Sequence, residues 1–239
     1  MAACLAVAGC ATADKTAQPA AHIDAGAGAA LLPAYTGLKA RIAVADFDVK
    51  AAKATGEIGS GLREMLIAAL AASSRFKVVE RQEVLTQVMR EQESAVSGAA
   101  QKSNGARRGQ VTTADLIVTA AVTGFEPQAS GGAAGIGGGG GSGSGVLGGL
   151  LGASLNKAHM ALDIRIVDAS TSEVVAETRV QGQASDIAGG VMAGFFGSSS
   201  LGAGLTSYAN TPMEKAIRIC IIEAVRYLSQ AVPASYYKY

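Results

Sequence analysis

The stretch RIAVADF, Arg41 to Phe47, sets Ile42, Val44 and Phe47 against small or polar neighbours, which is the alternation of a strand with one face on a core. The segments after it decide the class of fold. From Ile58 to Leu70 the apolar residues Ile58, Leu62, Met65, Leu66, Ala69 and Leu70 recur at helical spacing, and the run stops near Ser73 and Ser74. FKVV (Phe76 to Val79) then reads as a short strand, and Arg81 to Ala95 (RQEVLTQVMREQESA) as a charged helix with Val84, Leu85 and Val88 on one stripe. Ala114 to Phe125 reads as another strand. The order β-α-β-α-β predicts an α/β (α+β) domain.

Further along, His159 to Val167 alternates Met160, Leu162, Ile164 and Ile166 against Asp163 and Arg165, and Val174 to Val180 follows a turn at Ala169 to Ser172. These two segments read as a β-hairpin. Pro212 opens a last helix whose apolar face carries Met213, Ala216, Ile217, Cys220, Ile221, Ala224, Val225 and Leu228. That helix is expected to lie across the sheet and close the core.

A chain of 239 residues can bury one sizeable core with a structured insertion. Lys and Arg number 20 against 19 Asp and Glu, so no basic field exists to collect phosphates along a nucleic acid. Nucleic acid is therefore not an expected partner. The 31 glycines, the lack of Trp and the positive mean hydropathy of +0.28 fit a chain partly placed against lipid or against other subunits.

Two segments depart from a compact domain. Gly131 to Gly152 holds 13 of the 31 glycines, and Ile187 to Tyr208 is a second Gly/Ser-rich stretch. Long structureless insertions inside a domain call for a function. Uncharged extended segments of about 9 to 11 residues can cross a bilayer if a closed barrel satisfies every backbone group. One reading makes these segments membrane-inserting β-hairpins, with Ile136, Val146, Leu147, Leu150 and Leu151 in the first and Ile187, Val191, Phe195, Phe196, Leu201 and Leu205 in the second. The other makes them loops that pack between subunits, because five successive glycines (Gly137 to Gly141) weaken any strand and no aromatic girdle is evident.

At the N-terminus a short apolar run ends Ala8, Gly9, Cys10, which reads as a lipobox. Small side chains precede the cleaved bond, and the Cys10 thiol accepts a diacylglycerol. Each buried methylene of such a lipid contributes roughly 0.8 kcal/mol, so a triacylated cysteine holds a protein firmly to a bilayer. The alternative is an Ala-rich start with two incidental cysteines, Cys4 and Cys10. On the lipobox reading, residues 1–9 are a partial lipoprotein signal that lacks a basic n-region. Residues 10–38 are then a flexible tether from lipid to domain. Ala11 is not the Asp that retains lipoproteins in the inner membrane, which makes the outer membrane the expected location.

Enzyme chemistry lacks parts. Gly143, Gly145 and Gly148 match G-x-G-x-x-G with Asp163 twenty residues on, but no strand precedes them, so the dinucleotide fingerprint lacks its context. His22 and His159 are the sole histidines, too few for a Ser-His-Asp set or a metal site. Asp46 with Asp48, and Asp163 with Asp168, read as solvated or structural carboxylates. Cys220 reads as a small buried hydrophobe. No cofactor, metal or catalytic residue is expected.

The order of these segments resembles the CsgG/HfaB family of envelope lipoproteins. The residues that carry the resemblance are SRFKVVERQEVLTQVMREQ (Ser74 to Gln92), TTADLIVTAAVTGFEP (Thr112 to Pro127), HMALDIRIVDASTSEVV (His159 to Val175) and NTP with the helix after it (Asn210 to Leu228). The resemblance covers nearly all of the chain after Leu38. It implies a periplasmic domain over residues 39–239 with insertions at about 127–158 and 181–210, whose copies form a homo-oligomeric ring and whose two hairpins close one barrel in the outer membrane. Acylated Cys10 would meet outer-membrane lipid, and the partners would be secreted fibre or adhesin subunits of curli or holdfast type, with their accessory proteins. Curli-type members narrow the channel with an aromatic-containing loop between the first strand and helix. The equivalent loop here, Asp48 to Glu57, holds no Tyr, Phe or Asn, so that constriction does not carry over. Lys50, Lys53 and Thr55 are its candidate pore-loop residues. A pore-free periplasmic lipoprotein that binds an envelope machine as an adapter is the alternative.

Overall fold

The computed structural model describes residues 21–23, 35–81, 83–97, 106–107, 109–130, 156–185 and 204–239. Among the described residues six strands form one sheet: β1 (Ala21–Ile23), β2 (Ala40–Val49), β3 (Phe76–Val78), β4 (Leu116–Ser130), β5 (Asn156–Asp168) and β6 (Val174–Ser185). Their spatial order is β1-β6-β5-β4-β2-β3. The β3-β2-β4 side is parallel and the β4-β5-β6 side antiparallel. The helices are α1 (Gly56–Ala72), α2 (Glu83–Val96) and α3 (Pro212–Ala231). The mixed α/β fold thus has the elements expected from the periodicity, with ends shifted by a few residues.

One core lies between the sheet and the α1/α3 layer. Ile42, Val44, Leu116, Val118, Leu162, Ile164 and Ile166 meet Leu62, Leu66 and Leu70 of α1 and Ile217, Ile221 and Val225 of α3, all buried. Each side chain of this size contributes roughly 1.5–3 kcal/mol when fully buried. A register shift between Val44 and Phe47 of β2 lets the core take Phe47 while Asp46 and Asp48 stay outside. Helix α3 is held at its start by reciprocal bonds: Thr211 Oγ1 accepts from Glu214 N at 3.4 Å, and Asn210 N donates to Glu214 Oε2 at 2.6 Å. Along α3, Ile219, Ile222 and Glu223 are buried as well, so the helix is covered nearly all round. Burial raises the Glu223 carboxyl above its ordinary range against the opposing pull of Arg226, whose Nη1 stands 2.8 Å from Glu223 Oε1 but off the hydrogen-bond direction. Cys220 is buried with its thiol pushed up by desolvation, as a core residue should be.

Three differences from the sequence reading have physical causes. Residues 10–38 were expected to be a flexible tether, yet Ala21–Ile23 pairs in parallel with Val180 to Gly182 of β6. An edge strand offers a row of free backbone groups to any extended segment, whatever its side chains. The insertions were expected from 127 and 181, but β4 runs to Ser130 and β6 to Ser185, because strand pairing with β5 continues where the side-chain alternation ends. Pro127, which has no N–H to donate, falls within the register shift between Glu126 and Ala129. The third difference is Leu205, expected in a membrane hairpin and found completely buried in the domain core.

The chain's last residues lock the sheet's opposite end. Tyr239 N and Lys238 N both donate to Lys39 O, at 3.1 and 3.2 Å, and Arg41 forms a paired contact with Asp115 at 3.1 Å. Asp168 accepts from Tyr236 Oη at 2.5 Å and from the N–H groups of Ser170 and Thr171 at 2.7 and 2.9 Å. These donors, the tyrosine first, lower the Asp168 carboxyl to about 2. A depressed folded-state value means that the stabilisation is present at neutral pH and is lost as pH falls from about 4 toward 2. Tyr236→Phe should therefore weaken the fold at pH 7 in urea titrations, with the deficit shrinking across that acid window. A deficit equal at pH 7 and pH 2 would show that the charged carboxylate is not what Tyr236 holds.

Candidate functional site: a three-stranded arm and the loop at its root

Strand β2 ends at Val49, opposite Val122, while β4 continues eight residues further, a reach of about 26 Å at 3.3 Å per residue. Over this stretch β4, β5 and β6 remain paired, out to Ser130 with Asn156 and to Lys157 with Ser185. The three strands form an arm that leads directly into residues 131–155 and 186–203. Of the hairpin candidates, Ile136, Val146, Leu147, Leu150, Leu151, Ile187, Val191, Phe195, Phe196 and Leu201 lie outside the described residues, as does Cys10.

The root of the arm is packed tightly. Phe125 is buried and meets Tyr208 edge-on at 5.3 Å between ring centroids. Tyr208 belongs to a short 3-10 turn, Thr206–Tyr208, that returns the chain from residues 186–203 to α3. Just before it, Gly204 has φ +78°, and a Cβ there would lie 2.7 Å from the Glu57 carbonyl. Only glycine fits both the left-handed backbone and this approach. On the same root Gly182 of β6 lies against α3, where an added Cβ would stand 2.0 Å from Ala216 O.

The loop after β2 is fixed to the arm. Lys50 N and Ala51 N both donate to Val122 O, at 3.0 and 2.9 Å, and Lys53 pairs with Glu126 of β4. Thr55 is the N-cap of α1 through its extended backbone, with no side-chain cap bond. Of the three pore-loop candidates, Lys50 and Lys53 thus lie beside β4, while Thr55 starts a helix. Lys50 also lines an open groove of about 290 Å³ on the sheet face away from the helices, with Asp46, Asp48, Thr119, Asp163 and Arg165.

Two ion pairs link neighbouring strands at this groove. Arg179 holds Asp163 at 2.5 Å and, together with Thr123 and Lys50, draws the Asp163 carboxyl below its usual range. Arg165 pairs with Glu177 at 3.1 Å. Among the described residues no group of three His, Cys, Asp or Glu is placed to hold a metal ion, and no helix is long and apolar enough to cross a membrane. His159 sits half-buried on β5 with its Cε1 3.1 Å from the place a Cβ on Gly124 would take. Sequence reasoning missed the buried Arg63 of α1, which donates to Glu80 at 2.8 Å and lies 3.9 Å from Asp46. The E-R-Q string beginning at Glu80 was the available signal, since a glutamate directly after a core strand needs a partner.

A mixed sheet with α1 and α3 packed on one face, whose strands β4, β5 and β6 continue past the end of β2, defines a mixed α/β protein. The family model for the curli production assembly/transport component CsgG matches residues 29–236, and the chain belongs to that family. No curated protein sequence matches the chain. Among solved structures it is similar in fold to the hypothetical protein CT253 from Chlamydia trachomatis, at 13% identity over 82% of this chain and 99% of that one, with a TM-score of 0.48. It is also similar to protein XCC0632 from Xanthomonas campestris, at 14% identity over 83% and 89% of the two chains, TM-score 0.45. The PelC dodecamer from Paraburkholderia phytofirmans is 11% identical over 80% and 92%, TM-score 0.34. Likenesses this distant add nothing to the family assignment.

Proposed function

We propose that this protein is an outer-membrane lipoprotein, anchored through Cys10 with its main domain in the periplasm, whose copies form a ring that exports or surface-anchors extracellular fibre or adhesin subunits. The observation that carries the reading is the arm: β4 and β5 are still paired at Ser130 and Asn156, with β6 alongside to Ser185, where they hand over to the two glycine-rich segments. Strands already in register need no new nucleation to extend as hairpins, and neighbouring copies can satisfy their outer edges. Membership of the CsgG family supports the transport role. The absence of Tyr, Phe and Asn from the loop Asp48 to Glu57 favours holdfast-type anchoring over curli export, and it also leaves room for a pore-free adapter.

Cys10→Ser is expected to release at least tenfold more protein from the membrane fraction, and mass spectrometry of the wild type should find diacylglycerol on Cys10. An unmodified thiol on mature, cytosolic protein would overturn the proposal. Detergent-extracted wild-type protein should form rings in negative stain and conduct in planar bilayers. Rings without conductance favour the anchor, and a non-conducting monomer favours the adapter.

A further inference from the structure

Helix α2 is amphipathic, yet much of its apolar side is exposed. Val84, Val88, Met89 and Val96 are 41–59% exposed, and among the described residues only Gln92 of the helix is buried. Spacing puts these residues on one stripe, with Glu91 and Glu93 on its two flanks. The start of the helix is anchored by Glu80 on Arg63 and by Arg81 Nη2 donating to Thr112 O at 3.1 Å. An apolar stripe of this kind on a folded protein marks an interaction surface.

A second surface of the same chain is its complement. Leu38 is 58% exposed at the sheet end opposite the arm, next to Tyr35, whose hydroxyl donates to Leu38 O at 2.7 Å. Around it stand cations: Arg75 over the Tyr35 ring at 4.6 Å, Lys77 over Tyr239 at 5.6 Å, and Lys39 and Lys238 on the paired C-terminal backbone. One patch is apolar with glutamate flanks, and the other is apolar and aromatic with a basic rim. Two copies of α2 face to face would bring like charges together, whereas α2 against the basic end matches both apolarity and charge.

We infer that α2 of one copy docks on the Leu38 end of another copy, and that this contact joins successive subunits. The inference rests on the proposed ring, and it names the surface that builds it. The test uses the full chain, extracted in detergent, with mass measured by light scattering. The double substitution Val88→Arg with Met89→Arg should weaken self-association at least tenfold while leaving circular dichroism and the urea midpoint unchanged, because both side chains are exposed in the domain. Glu91→Lys and Lys77→Glu should each weaken it, and the two together should restore it. Wild-type oligomers that survive all of these substitutions would overturn this interface and leave the ring standing. A monomeric wild type would overturn both.

Discussion

Gly182→Ala is expected to cost about 3 kcal/mol or more, which is a large share of the roughly 5–15 kcal/mol that holds an ordinary domain together. The added Cβ would lie 2.0 Å from Ala216 O and 3.0 Å from Cys220 N, both backbone atoms of α3. No side chain can rotate to relieve that contact. The helix itself would have to lift from β6, opening the core around Val180, Ile217 and Ile221. Urea denaturation of the full chain reads the effect, and Gln183→Ala, next along the strand and exposed, serves as the control. The melting temperature of the glycine variant should fall by roughly 6–12 °C, at 2–4 °C per kcal/mol for a domain of this size. A Gly182→Ala protein as stable as its control would mean that α3 does not sit directly on the strand. The arm would lose its support too, because β6 leaves the domain just beyond this point.

The elements legible in the sequence were those whose side chains carry the period. Ile42, Val44 and Phe47, the α1 stripe from Ile58 to Leu70, and Met160 to Ile166 all face the core as their spacing requires. Contacts made by backbone left no such trace. The parallel pairing of Ala21–Ile23 with β6 and the return of Tyr239 to Lys39 depend on where strand edges happen to be free, which no local pattern records. For α2 the stripe was readable, but its destination was not: the same amphipathic pattern serves a helix on its own core and one directed at a neighbour. The candidate site divided in the same way. Lys53 was singled out from a loop, and its tie to Glu126 of β4 joins residues 73 positions apart.

Leu205 shows how composition misled, and it supplies the second large expected effect. Its setting in a Gly/Ser-rich run, after Leu201, placed it among membrane-facing residues, yet the chain has re-entered the domain by Gly204. The side chain is completely buried beneath the turn that carries Tyr208 to Phe125. Leu205→Ala removes buried methyl groups and leaves a cavity where α1, α3 and the root of the arm meet, which typically costs 2–5 kcal/mol. A residue facing lipid would behave differently: its truncation would leave the urea midpoint of the domain unchanged and alter only the yield in the membrane fraction. We expect the midpoint of Leu205→Ala to fall by an amount equivalent to about 3 kcal/mol, with any protein that folds still reaching the membrane through the proposed lipid anchor. An unchanged midpoint together with lost membrane insertion would return Leu205 to the hairpin and move the root of the arm with it.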